Sequence, residues 1–482
     1  MNRLAPLFAT GLIASLPLAH AAPLTTAEQS VLTGIDGRYE QTEAVAHQIW
    51  DWAELGYKET QSSDLLASEL EAAGFSIEKS VAGIPTAFIA SFKQGDGPVI
   101  AILGEFDALP GFSQAASPMK SPIPGQAAGH ACGHHLFGAG SVSAAIAVKD
   151  WLEATGTEGE IRFYGTPAEE GGSGKVYMVR AGLFDDVDFS IHWHPSDSNA
   201  VMATASLANR SAKFRFHGVS AHAAAAPEKG RSALDGVEAF NMMVNMMREH
   251  VPQESRIHYV ISAGGLAPNV VPDFSEVFYY VRHPHPDQVE EIWARIEDAA
   301  KGAAMGTGTT VDWEVIHGNN PLLINEPLAL AMLEKLESLG GFTYTPEEQA
   351  FAEDLYETLN NPQFEIGEQE KVQPYSASLS FGSTDVGDVS YATPTVGVRT
   401  ATWVPGTPAH SWQAVAAGGM SIGMKGAQLA AKTMTLTAIE LYENEDLRTE
   451  ARAAFDAARG EDYEYQSLLG DRDPPLDYRD NP

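Results

Sequence analysis

An α/β pattern that is interrupted and later resumed limits the folds open to this chain more than any other feature. From residue 27 to about 205, helical periods such as Val45, Ile49 and Trp52 alternate with short apolar runs such as Val99-Ile100-Ala101-Ile102-Leu103. Alternation of this kind describes helices layered on a largely parallel sheet. Between about 206 and 319 the order becomes strand 213–216, helix 231–250, strands 257–261 and 277–281, helix 287–304 and strand 309–316. This is a βαββαβ, ferredoxin-like unit. In its first helix Ala233, Val237, Phe240, Val244 and Met247 form one apolar face, and the methionines of this helix are assigned to the core. After Asn325-Glu326-Pro327, a helix-start signal, the first pattern resumes to about residue 441. The roughly 460 residues of the mature chain exceed one ordinary core. The reading is therefore an α/β domain built from 22–205 and 320–445, an inserted lid or dimerisation domain at 206–319, and an acidic tail at 446–482. Residues near 410 must then return in space to residues near 132.

Charge removes some functions. With 30 Lys+Arg against 64 Asp+Glu, the formal charge of −34 argues against nucleic acid as a partner and against docking on anionic membranes. Much of the acid lies at 347–370 and in the tail, which reads as a solvated or partly ordered extension. At the other end, Arg3, an apolar run over 4–18 and Ala19-His20-Ala21 describe a signal peptide over 1–21. That run is shorter than the roughly 20 residues of a membrane span, and no later segment is long and apolar enough. The expectation is a protein secreted across the inner membrane, periplasmic in a cell with two membranes, with no membrane insertion in mature form.

Chemistry concentrates in Gly129-His130-Ala131-Cys132-Gly133-His134-His135, which holds the only cysteine of the chain and three histidines in seven positions. A lone thiol flanked by imidazoles in an exported chain suits a divalent cation. Glu169-Glu170 follow the strand-like Glu160-Ile161-Arg162-Phe163-Tyr164 on a glycine-rich turn. Hydrolysis at a metal needs one carboxylate to hold the cation and another to carry protons, and neighbouring glutamates can divide those tasks. His194 in Ile191-His192-Trp193-His194-Pro195 and His410 in Pro408-Ala409-His410 each read as lying just beyond an apolar strand. Spacing alone does not choose between His192 and His194. Cys132, His134, Glu170, His194 and His410 form the candidate ligand set. A cysteine nucleophile at Cys132 would leave Glu169-Glu170 and His410 without a task.

These residues resemble the dinuclear metallo-amidohydrolases that include aminoacylases and glutamate carboxypeptidases. The resemblance runs from about 27 to about 442 through the Cys132 motif, the Pro167-Ala-Glu-Glu-Gly-Gly172 turn, Trp193-His194-Pro195 and Gly382-Ser-Thr-Asp-Val-Gly-Asp388, in the family's order. It implies a metallopeptidase-type catalytic domain holding two divalent metal ions, zinc or manganese. Cys132 bridges them, His134, Glu170, His194 and His410 complete the ligands, and Glu169 is the general base. His194 is preferred to His192 by position in the motif. Asp107 orients a ligand from behind. Two departures stand out: His135 replaces a common Asp or Asn, opening an extra ligand or altered surroundings there, and Glu105 occupies a place where many relatives have a ligand histidine. In the inserted domain the resemblance gives His222 a catalytic role, often across a dimer, and makes Asn269 and Arg282 substrate-binding residues. The expected substrate is a small N-acyl amino acid, p-aminobenzoyl-glutamate first, with other N-acyl amino acids or dipeptides as the alternative. The expected assembly is a homodimer or a pair with a related subunit. A non-catalytic ligand-binding protein on the same fold would have lost its base or ligands, and this chain keeps them all.

Overall fold

A computed structural model describes residues 24–379, 382–460 and 463–480. The leader expected over 1–21 lies outside them. Seven strands form the larger sheet in the order Ser76–Lys79, Phe88–Gln94, Gly159–Gly165, Val99–Gly104, Phe189–Ser196, Thr395–Ala401, Ala200–Val201. The central four run parallel, and the flanking strands pair antiparallel. Apolar runs without alternation are what strands buried on both faces require, and nearly every residue of the central strands is buried. One face packs against Thr26–Gly37, Tyr39–Trp52, His134–Thr155, Glu326–Leu339 and Ser421–Glu443. Asn325 caps Glu326–Leu339, accepting a bond from the Leu328 N–H at 3.3 Å. The other face carries Gly174–Arg180 and Val386–Ala392.

Four antiparallel strands form the second sheet, ordered Arg256–Ala263, Phe274–His283, Ala208–His217, Thr310–Asn319. Helices Ala233–Met247 and Pro286–Thr307 cover one face. Ala233, Val237, Phe240, Val244 and Met247 are buried there. The assignment of all the helix's methionines to the core is corrected: Met242, Met243 and Met246 are 57%, 42% and 59% exposed. They fall off the 3.6-residue stripe and point outward. The outer strand Arg256–Ala263 also exposes Val260 and Ile261.

Of the two readings of the acidic tail, solvated or partly ordered, the structure favours the ordered one in the described part. Helix Glu445–Arg459 buries Leu447, Ala451 and Phe455. Leu468 enters the core of the four-stranded unit, and Leu469 packs beneath the larger sheet. The high acid content hides these few apolar and aromatic anchors. Among the described residues, no helix is long and apolar enough to cross a membrane.

Candidate metal centre

Parallel strands bring their carboxyl ends to one edge, where open α/β sheets place ligands. Val99–Gly104 leads into Glu105 and Asp107, Gly159–Gly165 into the Glu169-Glu170 turn, and Thr395–Ala401 into the loop bearing His410. His194 lies inside Phe189–Ser196 rather than beyond it, two residues from His192 and so on the same side of the strand. Cys132 and His134 flank Gly133, which turns the chain into helix His134–Thr155 at φ 75°. A Cβ on Gly133 would come within 2.7 Å of Pro195, so both conformation and space require glycine.

Two donor triads share the thiol. Cys132, His134 and His194 form one, and Cys132, Glu170 and His410 the other, each with its ligand atoms within 4.8 Å of one another. A third group joins Glu105, His134 and Glu169. Cys132 Sγ lies 3.5 Å from His194 Nε2, and Glu170 Oε1 lies 3.0 Å from His410 Nε2. The backbone N–H of His410 donates to the Ala131 carbonyl at 2.9 Å, tying the two distant loops together.

Backing groups orient the candidate ligands. His134 Nδ1 donates to Asp107 Oδ1 at 2.8 Å, leaving Nε2 to face inward. The N–H of Glu170 donates to the other Asp107 oxygen at 2.9 Å. His194 Nδ1 donates to the Pro195 carbonyl at 2.7 Å, turning Nε2 to Cys132. His192 lines the same cavity of about 200 Å³, with neither ring nitrogen hydrogen-bonded and outside the triads. His135 Nε2 donates to the Gly418 carbonyl at 3.0 Å, which holds it outside those groups.

The turn that carries the two glutamates is conformationally costly. Ala168 and Ser173 occupy the left-handed region at φ 57° and 60°. Each costs about 1–2 kcal/mol for a residue with a Cβ. Distant groups hold the turn: Glu59 Oε1 accepts the Ala168 N–H at 2.8 Å, and the Gly172 carbonyl accepts from Tyr57 Oη at 2.6 Å.

Electrostatics favour a cation. Burial first, then Glu105 and Glu170, raise Glu169 well above the ordinary carboxylate range. Burial alone would push His134 down, but Glu105 and Asp107 hold it well above its usual value. Hydrogen bonds that the protonated His410 ring donates to Cys132 and Glu170 push its pKa up to about 10. Protons held this firmly among crowded carboxylate, imidazole and thiol donors are what a divalent ion replaces. His134 Nε2 and Glu105 Oε2 face one another at 3.0 Å without a hydrogen bond. Thiolate, imidazole and carboxylate donors around such orphaned atoms fit zinc or manganese.

The sequence marks Glu105 only as a departure from the family's pattern and does not show its partners. Lys175 Nζ sits 2.5 Å from Glu105 and 2.8 Å from Asp385, with all three side chains within 1% of full burial. The only sequence signal was a lysine opening the apolar run Val176-Tyr177-Met178-Val179. The residues expected from the inserted region are elsewhere in this chain. His222 and Asn269 are exposed on adjoining loops, joined by the Ala223 N–H donating to the Asn269 carbonyl at 3.0 Å. Arg282 lines a separate cleft of about 830 Å³ on the open face of the four-stranded sheet, with Arg256, Phe278 and Tyr280. None of these three lines the cavity beside Glu169.

Comparison with known proteins identifies the family. Residues 101–398 match peptidase family M20/M25/M40. The chain is 43% identical over 436 residues to one of the subunits of p-aminobenzoyl-glutamate hydrolase of Escherichia coli, covering 85% of this chain and 90% of that protein. It is 30% identical over 450 residues to Xaa-Arg dipeptidase of Mus musculus, covering 90% and 93%. The solved structure of a dinuclear metal binding peptidase of the M20 family from Bacillus subtilis has the same fold at 18% identity, with a TM-score of 0.52 and coverage of 84% and 98%. The chain belongs to peptidase family M20/M25/M40 and is a metal-dependent amide hydrolase.

Proposed function

We propose that the protein hydrolyses the amide bond of N-acyl amino acids, with p-aminobenzoyl-glutamate, giving p-aminobenzoate and glutamate, as its best substrate. Two donor triads sharing Cys132, with Glu169 on the same cavity and outside both, carry this reading. The 43% identity to the E. coli hydrolase supports the choice of substrate. Cys132, His134, Glu170, His194 and His410 would hold two divalent cations, zinc or manganese. When bound, these polarise the amide carbonyl and acidify water. Glu169, raised in pKa and outside the two triads that share Cys132, takes the proton from the attacking water and returns it to the departing amine nitrogen. Asp107 keeps His134 in one tautomer through its bond to Nδ1. When the four-stranded unit closes over the site, Arg282 grips a substrate carboxylate bidentately, and Asn269, with His222 from a second copy, stabilises charge developing on the carbonyl oxygen.

The four-stranded unit at 206–319 then serves as lid and dimerisation domain. His222 is exposed and away from Glu169 within its own chain, so it serves the site of a second copy or related subunit. The outer strand Arg256–Ala263, with Val260 and Ile261 exposed, is a template for that pairing. The leader pattern over 1–21 supports export to the periplasm.

The test is product release from p-aminobenzoyl-glutamate by purified protein before and after chelation and metal return. Turnover that stops on chelation and resumes with zinc or manganese supports the reading; no turnover in any metal state refutes it. The similarity to Xaa-Arg dipeptidase favours a second reading, hydrolysis of dipeptides, and Xaa-Arg substrates belong in the same assay.

A further inference from the structure

We infer that residues 463–480 form a strap that positions the Glu169-Glu170 turn, with Tyr478 and Arg479 as positioning residues for Glu170. The inference rests on the assignment of Glu170 as a metal ligand above. Tyr478 Oη donates to the Glu170 carbonyl at 3.0 Å, and Arg479 Nη2 donates to the same oxygen. The N–H of Glu170 is held by Asp107, whose other oxygen accepts from His134 Nδ1. A continuous series of hydrogen bonds thus runs from the strap, through the backbone of one ligand, to the imidazole of another.

The strap is shaped for this contact. The Tyr478 ring meets Tyr57 edge-on, with centroids 5.6 Å apart, and Tyr57 binds the Gly172 carbonyl of the same turn. Tyr478 Oη lies where a Cβ on Gly56 would approach to 2.2 Å, so glycine there admits the hydroxyl. The Arg479 guanidinium lies 4.6 Å from the centre of the Tyr478 ring. Upstream, Arg472 donates to the Val315 and Ile316 carbonyls at 2.6 and 2.9 Å. Arg180 donates to the Gly470 carbonyl at 2.7 Å, and Tyr465 Oη donates to buried Asp388 at 2.7 Å. The strap is therefore fastened to the four-stranded sheet and to the two helices on the larger sheet's second face before it reaches Glu170. A turn with two left-handed non-glycine residues has little intrinsic reason to stay in place, and the backbone oxygen of its ligand receives two bonds from this one segment.

The decisive experiment compares Tyr478→Phe, Arg479→Ala and the double variant with Glu170→Gln in the full-length protein. Zinc and manganese affinities are read by competition with a chelator, and the melting temperature of the metal-free protein is read separately. The expected result is a loss of about 10-fold in metal affinity for each single strap variant and about 100-fold for the double, with unchanged metal-free melting. Guanidinium ion should restore part of the loss in Arg479→Ala. Tyr478→Phe keeps the ring and removes only the hydroxyl, so it reports even where the double variant fails to fold. Wild-type affinity in the strap variants, alongside a loss in Glu170→Gln, overturns the strap. Full metal affinity in Glu170→Gln overturns the ligand assignment, and the strap with it.

Discussion

Around the larger sheet, charge is buried and clamped: Lys175, Glu105 and Asp385 have no appreciable exposure, and Asp107 binds both the His134 imidazole and the Glu170 backbone. On the four-stranded sheet, charge stays at the surface. Lys213, Arg215 and Glu276 share its open face with Arg282, and His222 and Asn269 stand on exposed loops. The first arrangement fixes distances in advance, as catalysis at a metal requires. The second keeps groups accessible to a substrate or a second copy. On the function proposed above, the first region holds the reaction's geometry and the second supplies recognition.

The largest expected effect lies within the clamped region. Glu169→Gln should lower kcat by about 10³-fold or more while metal content by elemental analysis stays near wild type. Lost metal with residual activity would exchange the roles of Glu169 and Glu170. Lys175→Met leaves Glu105 and Asp385 buried without their cation, and should destabilise the fold by about 3–5 kcal/mol in denaturant titration. A near-normal unfolding midpoint would show that this region is not rigidly clamped.

The contrast predicts the reverse pattern for Arg282→Ala. Stability and metal content should remain, while kcat/KM for p-aminobenzoyl-glutamate falls about 100-fold, close to 3 kcal/mol. An analogue with the carboxylate amidated should be poor for wild type and indifferent to the substitution. Equal losses on both substrates would assign Arg282 to support of its own unit.

The smallest effect concerns acid. Burial first, with neighbouring charge, lowers His130 and His192 to about 3, from an ordinary value of 6.5. The unfolded chain binds these protons between pH 6.5 and 3 and the folded chain does not. Their neutral burial is thus compatible with full stability above pH 6.5, and stability is lost as pH falls through that window. At pH 5 each histidine should cost about 2 kcal/mol. Melting curves at pH 7 and 5 should differ by less in His130→Gln than in wild type; identical shifts would contradict the assignment.

Where periodicity reflects packing, the sequence was informative. Apolar runs marked the buried central strands, and Ala233, Val237, Phe240, Val244 and Met247 marked one helix face. Cys132, His134, Glu170, His194 and His410 were legible as donors because their residue types have few other joint uses, and the structure places all five at one edge. Lys175 was not legible, since partners at 105 and 385 become neighbours only through the sheet order. Met242, Met243 and Met246 show that composition without phase misplaces a side chain. In the tail, the acid count obscured Leu468, Tyr478 and Arg479, whose roles depend on contacts more than 100 residues away in sequence.

The central claim is that one thiolate serves two metal ions. Elemental analysis of metal-loaded protein, wild type beside Cys132→Ala, tests it most directly. Two ions per chain are expected in wild type, with occupancy lost at both positions in the variant. One ion per chain in wild type, or two that persist without Cys132, would contradict it.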